Sequence, residues 1–155
     1  MPPAPAADVS SGTLRTSTDR FVLERRERGW EVTIAYTYEN PTDGPVFMTT
    51  CHGPHPPLLE KWDGSRWVLG WHPIHLLCLG PPLRIEAGES HSDELWLFAG
   101  YPSSNDWPRF EMEDWEGVYR LVWWPRSSYE EQPPFGDLLP LEHRVSRPFQ
   151  LVEGD

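Results

Sequence analysis

The 155-residue chain has a single lysine, Lys61, and only two cysteines, Cys51 and Cys78. Two sulfurs allow one bridge and no disulfide framework. No C-x-x-C pair occurs, so the tight thiolate spacing typical of structural zinc sites is missing. No run of about 18 apolar residues exists, which leaves no segment that reads as a membrane-spanning helix. The opening MPPAPAADVSSGTLRTSTD has neither a basic nor an apolar region, so it does not read as a signal peptide. Its composition reads as a disordered Pro/Ala/Ser leader over residues 1–13, of the kind that follows the processed end of exported proteins. A G-x-S-x-G elbow is absent, and so is the D-x-D-x-D-G loop of an EF-hand. No segment sustains an apolar period of about 3.6 residues, which argues against long helices.

Basic residues are also scarce. Thirteen Lys and Arg stand against 24 Asp and Glu, a net charge of −11. A chain this acidic repels phosphate backbones, so nucleic acid is excluded as a partner. The near-absence of lysine reads as a compositional habit of the genome rather than a site.

Aromatics, proline and glycine are what the chain has. Nine Trp, six Phe and five Tyr offset a hydrophobic fraction of 38%, because each aromatic side chain buries a large area. Eighteen Pro and 12 Gly cut the chain into short pieces, the habit of strands and turns. In WEVTIAYTYEN, Trp30, Val32, Ile34, Tyr36 and Tyr38 alternate with polar or small neighbours, which predicts a strand with one buried face. Asn40-Pro41-Thr42-Asp43-Gly44-Pro45 ends it as a turn. PVFMTTC, LRIEAGES, HSDELWLFAG, GVYRLVWWP, HRVSRPFQLVE and RFVLERRE read as further strands. Asp63-Gly64, between LLEKW and SRWVLGW, predicts a two-residue hairpin turn. The total is about eight or nine short strands in a single domain over residues 14–155, an all-β antiparallel sandwich.

The long strand ending in Asn40-Pro41-Thr42-Asp43, then PVFMTTC, LLEKWDGSRW, the second cysteine, RIEAGES, LWLF and GVYRLVWW form an order that resembles bacterial immunoglobulin-like domains of exported proteins and lipoproteins. The likeness covers roughly residues 15 to 125. It implies an immunoglobulin-like β-sandwich in which the two cysteines commonly pair. A related sandwich occurs in small bacterial proteinase inhibitors. This sequence departs from the pattern in its histidines between the cysteines and in its long Trp-rich and Pro-rich loops.

Three stretches carry candidate chemistry. Cys51 and Cys78 bracket four of the six histidines. In an oxidising compartment the two sulfurs form a disulfide; in the cytoplasm they stay as buried thiols. The alternative is a zinc or copper site, for which Cys51, His52, His55, His72, His75 and Cys78 offer thiolate and imidazole; a disulfide would remove both sulfurs and leave His52, His55, His72 and His75. Prolines 54, 56, 57 and 73 interrupt the regular structure that this spacing would need. The run Glu111, Glu113, Asp114, Glu116 reads as a solvated loop. Trp107 and Trp115 lie in that same polar loop and are candidates to stack on a sugar or to anchor a protein partner.

These readings converge on a non-catalytic, extracytoplasmic binding or accessory module, with a cytoplasmic location left open. It requires no cofactor. It binds a protein partner with some positive charge, as a subunit of a larger assembly or alone. The residues expected to make contact are Trp107, Trp115, His72 and His75. A metal-binding protein and a proteinase inhibitor are the alternatives.

Overall fold

The computed structural model describes residues 9–74 and 78–154. Its strands are β1 (Leu14–Thr16), β2 (Arg20–Arg25), β3 (Gly29–Glu39), β4 (Val46–Met48), β5 (Leu58–Trp62), β6 (Trp67–Trp71), β7 (Leu83–Ile85), β8 (Ser90–Gly100), β9 (Gly117–Val122) and β10 (Phe149–Glu153). One 3-10 turn, Leu141–His143, is the only helical element among the described residues.

The alternating stretch becomes β3, and Ile34, Tyr36 and Tyr38 point inward as the pattern predicts. Along one edge β3 pairs with β8 over its full length, from Gly29 opposite Gly100 to Glu39 opposite Ser90. Along the other edge it takes β1 opposite Tyr36–Tyr38 and the end of β2 opposite Trp30 and Glu31. β2 then leaves this layer. Its first four residues pair with β10, which pairs in turn with β9, β9 with β5, and β5 with β6. A short ribbon of β4 and β7 lies apart and is joined at Phe47 to Arg126.

The expectation of a wholly antiparallel fold is corrected: β10 runs parallel to β2, and Leu14 of β1 bridges Ser146 in the parallel sense. Alternation reports which face of a strand is buried and carries no information on the direction of its neighbour. Among the described residues there are ten strands, because β1 arises within a stretch whose polar composition gives no strand signal. Ser10, Ser11 and Thr13, placed in the leader by composition, are hydrogen-bonded to residues 142–145. The Ser11 amide donates to the Glu142 carbonyl, and the Ser10 hydroxyl donates to the Val145 carbonyl. The hairpin at Asp63-Gly64 is wider than two residues. Trp62 and Trp67 face each other across its neck with ring centroids 5.4 Å apart, which leaves residues 63–66 as the loop. The Asp63 carboxylate closes that loop by accepting the Ser65 and Arg66 amides.

The core lies between the β3–β8 layer and the β10–β9–β5 layer. Trp123 is at its centre and wholly buried. It meets Tyr36 and Tyr38 edge-on at 5.7 and 5.4 Å and donates its indole N–H to the His55 carbonyl at 2.8 Å. Asn40 is buried at the end of β3 and organises the turn that follows. Its amide nitrogen donates to the Gly44 and Ile85 carbonyls, and its amide oxygen accepts the Thr42 N–H.

Burial raises the pKa of Tyr36, Tyr38 and Tyr119 well above the ordinary phenol value, with Asp93 adding to the effect at Tyr36 and Asp114 at Tyr119. The unfolded chain ionises these phenols near pH 10. Folding therefore favours the protonated form, and stability falls as pH rises above that value. In a spectrophotometric titration, these three tyrosines are expected to ionise together with alkaline unfolding. Smooth ionisation of all five tyrosines near pH 10 with the fold intact would contradict their burial.

Candidate functional site

The polar loop between β8 and β9 is braced. Gly100, the last residue of β8, packs so closely on the loop that a Cβ there would stand 2.3 Å from the Asp106 carbonyl oxygen. Its amide donates to the Pro108 carbonyl at 2.9 Å. Arg28, in the β2–β3 turn, pairs with the Asp106 carboxylate at 2.8 Å. The Tyr101 hydroxyl donates to the Arg26 carbonyl. Arg109 donates to the Asp106 carbonyl at 3.0 Å and to the Ser104 carbonyl. At the far side of the loop the Glu111 amide donates to the Gly70 carbonyl of β6. The loop thus spans the ends of β8 and β6.

This bracing holds the two loop tryptophans in opposite roles. Trp115 is only 6% exposed. It stacks flat on Phe110 at 4.7 Å and packs on Trp30 at 5.1 Å, so it belongs to the core and is withdrawn from the list of contact residues. Trp107 is 60% exposed. The Arg109 guanidinium lies 5.0 Å from its ring centroid, which fixes one face of the indole by a cation–π contact. Beside it a pocket of 140 Å³ opens, lined by Trp30, Pro102, Arg109, Phe110, Met112 and Trp115. Glu111 and Glu113 also line this pocket and give it an acidic rim.

Cys51 and Cys78 form a disulfide with their Cα atoms 5.3 Å apart. Cys51 is buried and Cys78 exposed. With a sequence separation of 27, such a cross-link stabilises by about 3–4 kcal/mol in the chain-entropy treatment. The described histidines between them are dispersed. His55 accepts or donates at Thr49 Oγ1 over 2.8 Å. His72 lies 3.6 Å from a Glu111 carboxylate oxygen, which ties the histidine-proline stretch to the tryptophan loop. His52 is exposed beside the disulfide. His75 lies outside the described residues. Among the described residues the one group of three or more metal-ligating side chains is Cys51, His52 and Cys78; His55 and His72 do not join it.

Trp96, within the HSDELWLFAG strand, is a surface feature. It is 61% exposed on the outer face of β8 and stacked on Phe98 at 5.7 Å. Its parity with Ser92 and Glu94 was the available signal. No helix among the described residues is long and apolar enough to cross a membrane.

No known protein family matches the chain, and no curated protein or solved structure matches it.

Proposed function

We propose that this chain is a non-catalytic, extracytoplasmic binding module, an immunoglobulin-like β-sandwich that anchors a protein partner on its Trp107 loop. The observation that carries this reading is the exposure of Trp107 on a loop fixed by an ion pair, a glycine close approach and two arginine-donated hydrogen bonds. A large apolar ring held in water on a rigid mount loses little conformational freedom when a partner covers it. Tryptophans placed this way dominate interface energetics. The acidic rim and the net charge of −11 favour a partner whose contact surface is basic. The disulfide supports an oxidising compartment.

Immobilised protein and its Trp107→Ala variant are compared for what each retains from the envelope and secreted proteins of the source cell. The retained partner is then purified and its affinity for both is measured. Trp107→Ala is expected to weaken binding by about 30-fold or more and to change folding stability by no more than about 0.5 kcal/mol. Raising salt should weaken binding further, because rim charges are screened. Equal affinity of the two proteins for the same partner would refute the anchoring role.

A further inference from the structure

We propose that reduction of the Cys51–Cys78 disulfide converts this loop into a binding site for a thiophilic cation such as zinc, with Cys51, His52 and Cys78 as its ligands. The ligand atoms of these three residues all lie within 4.8 Å of one another. Tetrahedral zinc, with Zn–S of about 2.3 Å and Zn–N of about 2.0–2.1 Å, sets ligand atoms about 3.5–3.8 Å apart. The two bonded sulfurs must separate and the His52 imidazole must draw in from within 4.8 Å, both by rotation of side chains, to reach that spacing.

The backbone holds this arrangement independently of the sulfur–sulfur bond. Residues 49–55 form a tight hairpin: Thr50 bridges Pro54, and the His55 amide donates to the Thr49 carbonyl at 3.0 Å. Cys51-His52-Gly53 is its tip. The strand of chain after Cys78 is clamped to the same hairpin. The Gly80 amide donates to the Thr50 carbonyl at 2.8 Å, and the Thr50 hydroxyl donates to the Pro81 carbonyl at 2.7 Å. A Cβ on Gly80 would stand 2.8 Å from Thr50 Oγ1, so the two segments touch. Two hydrogen bonds and one close approach, all at Thr50, therefore keep residues 51 and 78 adjacent once the cross-link is cut. His52 has a φ of 55°, a left-handed conformation that a residue with a side chain adopts at a cost. That conformation, followed by Gly53 at 111°, makes the turn that brings the imidazole beside the sulfurs. Strain of this kind gathers at functional positions. Cys78 and His52 are exposed, so both a reductant and a cation have access.

The chemistry balances with a dithiol as reductant. The dithiol gives two electrons and two protons to the Cys51–Cys78 bond; that bond breaks, two S–H bonds form, and the dithiol closes to its own disulfide. The cation then binds the two sulfurs as thiolates and the neutral His52 imidazole, and the thiol protons pass to water. Water fills the fourth position, the arrangement of an open zinc site.

The test uses the full chain, reduced by a dithiol that is then removed without air, and titrated with Co(II) as the probe. One Co(II) per chain with an intense near-ultraviolet thiolate-to-metal band is expected, displaced by Zn(II). The oxidised protein is expected to show no such band. His52→Ala is expected to weaken Co(II) binding by about tenfold or more, while Trp107→Ala leaves it unchanged. The near-ultraviolet circular dichroism of the tryptophans, recorded before and after reduction, is expected to be retained. The absence of a thiolate band, an unaltered affinity in His52→Ala, or loss of the tryptophan signal on reduction would each overturn the proposal.

Discussion

Replacing Trp123 by alanine is expected to cost about 3–5 kcal/mol of folding stability. The figure follows from three losses at one position. The side chain is wholly buried and in the set of core residues from both layers. Its edge contacts with Tyr36 and Tyr38 disappear, each aromatic pair contributing roughly 0.5–1.5 kcal/mol beyond area. The His55 carbonyl loses its indole donor. A domain of this size has about 5–15 kcal/mol in total, so the variant sits near the edge of folding. Urea unfolding followed by circular dichroism measures it. Trp123→Phe, which keeps an aromatic ring and most of the volume but loses the indole's second ring with its N–H, should recover more than half of the loss. A cost below about 1 kcal/mol for Trp123→Ala would show that the two layers do not meet at this ring.

Glu60→Ala is expected to cost about 3 kcal/mol, near the lower end of the range for breaking a buried ion pair. Arg120 is buried in β9 with both Nε and a terminal nitrogen donating to one Glu60 carboxylate oxygen, at 2.8 and 2.7 Å. Its guanidinium also lies 4.5 Å from the Trp67 ring centroid. Glu60 sits directly opposite on β5. Removing the carboxylate leaves the Arg120 cation with little water to compensate it. Arg144, whose pKa burial lowers and the Glu60 charge raises, loses support as well. Arg120→Met should cost less, since Glu60 retains access to solvent. The double variant Arg120→Met with Glu60→Leu should come within about 1 kcal/mol of the parent, because an apolar pair replaces a buried cation and its partly buried partner. Thermal unfolding of the parent, Glu60→Leu, Arg120→Met and the double variant closes the cycle. Additive single costs would mean that the two side chains do not interact.

The Trp30–Tyr38 alternation was legible because β3 has one face toward the core and one toward water. β9 was legible as a strand but not as a central one. Its residues are buried on both faces, and Arg120 interrupts the apolar run only because Glu60 waits opposite. A single sequence cannot announce that partner. β1 was missed because three residues, Leu-Arg-Thr, are too few to show a period. The two loop tryptophans looked alike in sequence. Phe110 and Trp30 decided that Trp115 is internal, and Arg109 and Asp106 decided that Trp107 is mounted outside. The spacing of the histidines suggested a set of four. The backbone instead sets His52 beside the two sulfurs and turns His55 to Thr49 and His72 to Glu111.

The path of β2 has a consequence for how this chain acquires its shape during synthesis. β2 is synthesised well before β10, and its first four residues have no strand partner until Phe149–Glu153 arrives, the whole interval from Arg20 to Gln150 later. β9 likewise waits for that same segment on one edge. The two layers cannot be sealed together while the ribosome still holds residues 149–153. Contacts of such long sequence separation make folding slow, on the scale of milliseconds to seconds. During that interval the unpaired edges of β2 and β9 are open to strands of other molecules. A nascent chain stalled just short of Phe149 would therefore be the form most in need of a chaperone.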